Sequence, residues 1–497
     1  MQLLKKIPFF LFLLVLFFCL HGSTENYGFI DLGEVLVIGS LISIGVAVLY
    51  LVVFFITRNY LFAALISFFI SLWYLFFGPI EDYIKSSSWL FFMQRDSIII
   101  PLLLVATFAW IIYLRRNKAS HAWWAFYLNL LLIIYCSIDI CQVLYKYFTP
   151  AKKANSQIAF DYSKAGHKPN VYFLLFDEYP GYQSLQDSFA FRNDSLYNFL
   201  RRESFVILPV FSNYDYTMFS MSSMLNMQYV KPGYDPLKLD QQDFQLRTAE
   251  IRHGEVISIF KKMGYRINNF SIFDIGDQHG VSDQNAFLPV HSLMLTDKIL
   301  HNRIIRTSGW MLRSGRFGLS SLKKDYLYQQ QVNNLRSEKM LREQVAGKKN
   351  GPQFCYAHFM MPHGPYYKDS AGHDISYELL AYESWQSNKQ LFLSYLKYTN
   401  QKIMSFVSSI SENDPGAIIV VMSDHGFRTY KNRLSFYQSF NFNNICAVRF
   451  PDKNYLDIKP SWSAVNFFRY LFNAEFGQSI PYLADSTVLL GHDIPKK

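Results

Sequence analysis

Four short stretches of this chain carry residue types that can do chemistry. Asp177 and Glu178 follow the apolar run 170–176 and precede the break Pro180-Gly181. Two carboxylates there offer hard oxygen donors to a divalent cation, although an acid at a strand end also serves simply to cap a helix. Ser423-Asp424-His425-Gly426 ends the apolar run 417–422. Adjacent carboxylate and imidazole suit zinc or manganese, and the glycine admits close approach of backbone to a ligand; the plainer alternative is an Asp–His pair bonded to itself at a turn. His358 and His363 frame Phe359-Met360-Met361-Pro362, and imidazoles so placed can hold a phosphoryl oxygen or move a proton near neutral pH. The hydroxyl-rich stretch 212–226 opens an expected helix at Thr217. A hydroxyl at a helix start gains from the dipole, and beside a cation its pKa falls until it can attack as an alkoxide; an idle N-cap is the ordinary alternative.

These stretches need elements to hold them. Short apolar runs at 170–176, 205–208, 266–273, 354–359, 417–422 and 445–450 alternate with helical patterns near 192–203, 320–346, 387–410 and 463–476. That alternation predicts an α/β domain, and strands apolar on both faces predict a sheet covered by helices on both sides. In such sheets reactive residues collect beyond the carboxyl ends of the strands.

The rest of the chain is of another kind. Of 497 residues, 51% are hydrophobic and only 17% charged, against roughly 25% charged in an average soluble protein. Aromatic residues at 18% exclude a disordered or fibrous chain. Apolar segments at 7–21, 34–56, 61–80, 97–114 and 122–146 approach the ~20 residues of a bilayer-spanning helix. Lys5, Lys6, Arg58, Arg115, Arg116 and Lys118 mark one side, while Glu25, Asp31, Glu34, Glu81 and Asp82 mark the other. The chain after the fifth span is therefore expected outside the cytoplasm. A short first span followed by His21-Gly22-Ser23 also suits a cleaved signal peptide. The expected organisation is a transmembrane domain at 1–148, a polar linker at 149–169 and an exported domain at 170–497.

A net charge of +10 and a pI of 9.1 do not choose between nucleic acid, anionic lipid and a phosphorylated substrate, but scattered basic residues and an exported location argue against nucleic acid. Basic and apolar residues mix from Arg303 to Arg316, as in a helix lying in the headgroup plane, or as on an ordinary surface helix. The five cysteines show no CxxC spacing, so buried free thiols are expected, with a Cys355–Cys446 bridge open to an exported domain.

The order strand–Asp177/Glu178, Thr217 at a helix start, His358-x4-His363-Gly364-Pro365, then Ser423-Asp424-His425-Gly426 resembles the alkaline phosphatase superfamily. The resemblance is to its membrane-anchored, sulfatase-like branch, which includes lipoteichoic acid synthases and lipid A phosphoethanolamine transferases. It implies an N-terminal all-α transmembrane bundle of about five spans, then an α/β alkaline-phosphatase/sulfatase-like domain with a central, mostly parallel sheet. It also implies one divalent metal ion, Zn or Mn, held by Thr217, Asp424, His425 and a carboxylate that is either Asp177 or Glu178. Thr217 would be the nucleophile, and His363 and His358 would hold the substrate phosphate and protonate the leaving group. A phospholipid in the membrane would be the donor and an envelope glycan or lipid A-like molecule the acceptor, on the periplasmic side of a bacterial inner membrane. A phosphatase or phosphodiesterase, or a non-catalytic scaffold, are the alternatives. Only two cysteines lie outside the spans, where phosphoethanolamine transferases carry several disulfides, which leaves the substrate open. No C/S-x-P-x-R sequence, from which sulfatases make formylglycine, is present, which disfavours sulfate ester hydrolysis.

Overall fold

A computed structural model describes residues 2–27, 30, 32–93, 96–148, 158–231, 233–236, 239, 241–281, 295–304, 320–380, 388–428, 440–456, 458–459 and 461–490. Two units result: Met1–Asn155 with Gln284–Lys323, and Ser156–Asp283 with Lys324–Lys497. Of the expected linker, residues 149–157 lie outside the described residues.

The first unit is helical. Leu32–Thr57, Ile98–Arg116 and Ser120–Phe148 are each long and apolar enough to cross a membrane. Tyr60–Leu75 and Phe77–Lys85 form a fourth candidate bent by 55°, and Phe10–Glu25 is a shorter apolar helix. The five apolar segments are thus all helical, but the third is broken at Phe76 and the first is short of a full span. Asn59 starts one of these helices by accepting from the Phe62 amide at 3.1 Å. Large apolar side chains such as Leu32, Ile56, Val105 and Phe108 face outward, an arrangement that water would penalise and hydrocarbon would not.

One segment expected in the exported domain clusters with this unit instead. The Arg303 guanidinium is buried and grips Asp82 with two hydrogen bonds, 2.7 and 3.0 Å. Such a fork on a carboxylate is among the stronger polar contacts a protein makes. Most of the remaining residues of that basic stretch, 305–319, lie outside the described residues.

The second unit is built on a six-stranded sheet in the order β2-β7-β6-β1-β5-β4. The strands are β1 (Val171–Phe176), β2 (Val206–Ile207), β4 (Arg266–Phe270), β5 (Gln353–Phe359), β6 (Ile418–Met422) and β7 (Cys446–Arg449); β3 (Val210–Phe211) and β8 (Trp462–Ser463) pair apart. β4, β5, β1 and β6 run parallel, and β7 is antiparallel to both neighbours. Every residue of β1 is fully buried because both faces are covered. Phe173 and Leu175 pack with the helices Glu255–Lys262 and Phe467–Glu475, and Tyr172, Leu174 and Phe176 with Asp194–Arg202 and Lys389–Asn413. At roughly 1.5–3 kcal/mol per fully buried large apolar side chain, this central strand anchors the domain.

Cys355 on β5 and Cys446 on β7 are free and buried. β1 and β6 stand between their strands, a separation of roughly 14 Å at the usual strand spacing, and a disulfide tolerates about 7 Å between Cα atoms. The bridge held open on compartment grounds is therefore absent. Burial pushes the Cys355 thiol up to about 12, which leaves it unreactive. Millimolar dithiothreitol should leave the melting temperature unchanged; a fall of several degrees would reveal a bridge that this topology excludes.

Candidate active site

Parallel pairing brings the carboxyl ends of β6, β1 and β5 to one edge. Leu175 stands level with His358 on one side and Met422 on the other, so the residues that follow, Asp177 and Asp424, meet His358 at that edge. The Asn443–Ile445 segment pins the exits. Asn443 accepts from the Gly181 amide at 3.0 Å, and Asn444 Nδ2 donates to Ser423 O at 2.6 Å. Gly426 is required by this crossing rather than by a ligand, since a Cβ there would lie 2.0 Å from Phe440 O. Two serines tie the loops together. Ser423 Oγ accepts from Tyr179 N at 2.9 Å, and Ser220 Oγ donates to Asp424 O at 2.5 Å.

Thr217 is the first residue of the helix Thr217–Asn226. Its hydroxyl lies 3.3 Å from Asp177 Oδ2 and 3.3 Å from His425 Nε2. Thus Asp177, Thr217, Asp424 and His425, from three distant parts of the chain, do converge. His425 Nε2 is also 3.2 Å from Asp424 Oδ2. Its other nitrogen sits 2.8 Å from Gly426 O; a carbonyl only accepts, so Nδ1 carries a proton and Nε2 is the nitrogen turned toward Thr217.

The expected phosphate contact His358 lies inside the domain rather than on its surface. It is fully buried with Asp177, Nε2 to Oδ2 3.4 Å. Asp177, His358 and Asp424 form the one cluster among the described residues whose ligand atoms all lie within 4.8 Å of one another. Tyr356 Oη is 3.2 Å from His358 Nδ1 and orients the ring, as groups behind metal-ligating imidazoles do. Asp177 Oδ1, His358 Nε2 and Asp424 Oδ2 are buried without a hydrogen-bond partner. Buried polar atoms are seldom left so, and a divalent cation would satisfy all three. Burial alone would raise the Asp177 carboxyl, but His363, His358 and His425 outweigh it and hold it well below the usual carboxylate range.

Glu178 turns away from this cluster on a left-handed backbone, φ 59°. Its carboxylate accepts from Arg428 N at 2.7 Å and lies 3.8 Å from the Arg428 guanidinium and 3.6 Å from His363 Nε2. His363 is partly open to solvent, and its Nδ1 is 2.6 Å from Gly364 O, so Nε2 is the nitrogen free to exchange a proton. Burial would lower the Arg428 guanidinium, yet Glu178, Asp177, Asp424 and Asp215 together raise it. Arg428 escaped sequence reading, and Ser220 and Ser423 lay inside two of the motifs without a role assigned to them. Only Tyr356, two residues before His358 and hence on the same strand face, had a signal to find it by.

A buried carboxylate–imidazole cluster with a hydroxyl on its rim, at the carboxyl edge of a parallel sheet, defines a metal-dependent hydrolase or transferase. The chain belongs to the sulfatase family, whose profile matches residues 209–464, just over half of its length. No curated protein matches the chain by sequence. Solved structures similar to it include the C-terminal periplasmic domain of EcEptC from Escherichia coli in complex with Zn, 9% identical, covering 68% of this chain and 93% of that one at a TM-score of 0.41. Others are the periplasmic domain of phosphoethanolamine transferase EptC from Campylobacter jejuni, 14% identical over 64% and 92% at 0.38, and the integral membrane lipooligosaccharide phosphoethanolamine transferase A from Neisseria meningitidis, 12% identical over 95% of both chains at 0.38.

Proposed function

We propose that this protein is a membrane-anchored phosphotransferase that moves a phospholipid headgroup phosphoryl unit, of phosphoethanolamine or phosphoglycerol type, to an envelope glycan or lipid A-like acceptor. The observation that carries the reading is the Thr217 hydroxyl, 3.3 Å from both an imidazole nitrogen and a buried carboxylate. Asp177, Asp424 and His358, with Thr217 and His425 at the rim, are the residues that would hold one divalent ion, zinc or manganese. Bound there, the ion would offset charge on the phosphoryl oxygens and lower the pKa of the hydroxyl.

In the first step Thr217 Oγ1 attacks the phosphorus of the lipid phosphodiester, and its proton passes to solvent. The bond to the diacylglycerol oxygen breaks, and His363 Nε2, the nitrogen near the surface, protonates that oxygen. The product is a phosphothreonine diester that retains the headgroup. In the second step an acceptor hydroxyl or phosphate displaces Thr217, and the proton balance reverses. Glu178 and Arg428 keep His363 beside the cluster, which spares the reaction an ordering cost. The membrane helices serve this chemistry by holding the site near a donor that stays in its leaflet, which raises the donor's effective concentration. The basic loops support a periplasmic site on a multi-pass anchor in a bacterial inner membrane.

A fluorescent phospholipid tests the reading. Diacylglycerol release that depends on an added glycolipid acceptor supports transfer, release without acceptor indicates a phosphodiesterase, and no release at any metal concentration indicates a scaffold. Chelation should stop the reaction and also lower stability. A metal present at 100 times its Kd stabilises a folded protein by about 2.7 kcal/mol, so EDTA should lower the melting temperature of the full-length protein. An unchanged melting temperature would count against a resident ion.

A further inference from the structure

The first unit contains a cavity of about 480 Å3 that the catalytic reading does not use. It runs along the helices Leu32–Thr57 and Tyr60–Leu75 and is lined by apolar residues such as Ile38, Ile42, Val46, Leu49 and Ile70. From Ile38 to Leu49 the lining covers about 17 Å at 1.5 Å per residue, close to one leaflet of a ~30 Å hydrocarbon core. Polar groups join it from one direction. Tyr74 Oη and His301 Nδ1 are 2.9 Å apart, and Thr296, which also lines the cavity, is buried with its hydroxyl unpartnered. The two helices are joined through Arg58 and Asn59 and so run antiparallel, which sets Tyr74 near the end of the groove where the first helix begins. The result is an apolar slot, one leaflet long, with a hydrogen-bonding mouth, and its shape and polarity fit a single amphiphile.

We propose that this groove binds one acyl chain of a membrane glycerophospholipid, with the lipid's polar end at Tyr74, Thr296 and His301. Naming that lipid as the donor rests on the phosphotransferase reading; the binding itself does not. Annular lipid covers any apolar helix, so what distinguishes this site is a defined depth and a specific blocking position. Gly45 supplies that position. It lines the groove, and a Cβ built on it meets no atom within 4 Å, so a side chain can be started at this lining position without a clash at its first carbon.

The test uses the full-length protein in lipid nanodiscs with phosphatidylethanolamine carrying a diazirine in one acyl chain. Illumination should attach the probe to peptides covering 38–49 and 70–75, Gly45→Ala should keep the labelling, and Gly45→Phe should reduce it about tenfold. In parallel, Gly45→Phe should raise KM for a fluorescent phosphatidylethanolamine about tenfold while leaving turnover of soluble bis(p-nitrophenyl) phosphate unchanged. Labelling spread evenly over the outward faces of the first unit, or undiminished in Gly45→Phe, would overturn the groove. Wild-type protein that cleaves neither ester would count against the phosphotransferase reading instead, and the labelling map would still decide the groove.

Discussion

Thr217→Ala should lower turnover by about 10⁴-fold, equivalent to about 5.5 kcal/mol of activation free energy, and leave the protein folded. The size follows from the role: without an oxygen at this position no covalent intermediate forms, and water must attack without a positioned nucleophile. Stability should hold because the hydroxyl caps nothing. It is half-buried and directed at Asp177 and His425, so its loss falls in the range of surface changes, about 0.5 kcal/mol or less. Thr217→Ser should keep part of the activity. Steady-state rates with the lipid substrate, read beside melting curves, check both halves, and an active Thr217→Ala protein would remove the nucleophile from the account.

Asp424→Asn should weaken metal binding by at least about 100-fold. Losing a group that only orients a ligand commonly costs 10–100-fold, and here a charged ligand itself is replaced. The substitution is nearly isosteric, and the acceptor that Asp424 Oδ1 offers to Glu178 N at 3.1 Å survives in the amide. The oxygen lost is Oδ2, the one buried without a hydrogen-bond partner. The metal-dependent rise in melting temperature should therefore vanish while the metal-free melting temperature stays near that of wild type. Titration of zinc or manganese followed by calorimetry measures both, and wild-type affinity in Asp424→Asn would place the ion elsewhere.

The division into an apolar helical region and an α/β domain was legible because each rests on local pattern. Long apolar runs become helices without help, and doubly buried strands announce themselves as runs such as Val171–Phe176. The strand-end residues were legible for the same reason, since the carboxyl edge of a parallel sheet is fixed once the strands are. What stayed hidden depended on distant partners. Asp177 and Glu178 are neighbours whose roles separate only because the backbone turns left-handed at Glu178. Arg428 meets that carboxylate across 250 residues of chain. His358 sits within β5, level with Leu175, and its burial beside Asp177 depends on strand pairing that its motif does not show. The docking of Arg303 on Asp82 across 221 residues likewise had no local sign, so the return of that segment to the helical unit could not be read from composition.

The most direct test is to quench the full-length enzyme with acid during turnover of phospholipid donor, digest it, and map the adduct by mass spectrometry. The headgroup phosphodiester should be found on Thr217, and it should be lost when acceptor is added before the quench. Diacylglycerol release with Thr217 unmodified, or with the adduct on another residue, would contradict this role for Thr217.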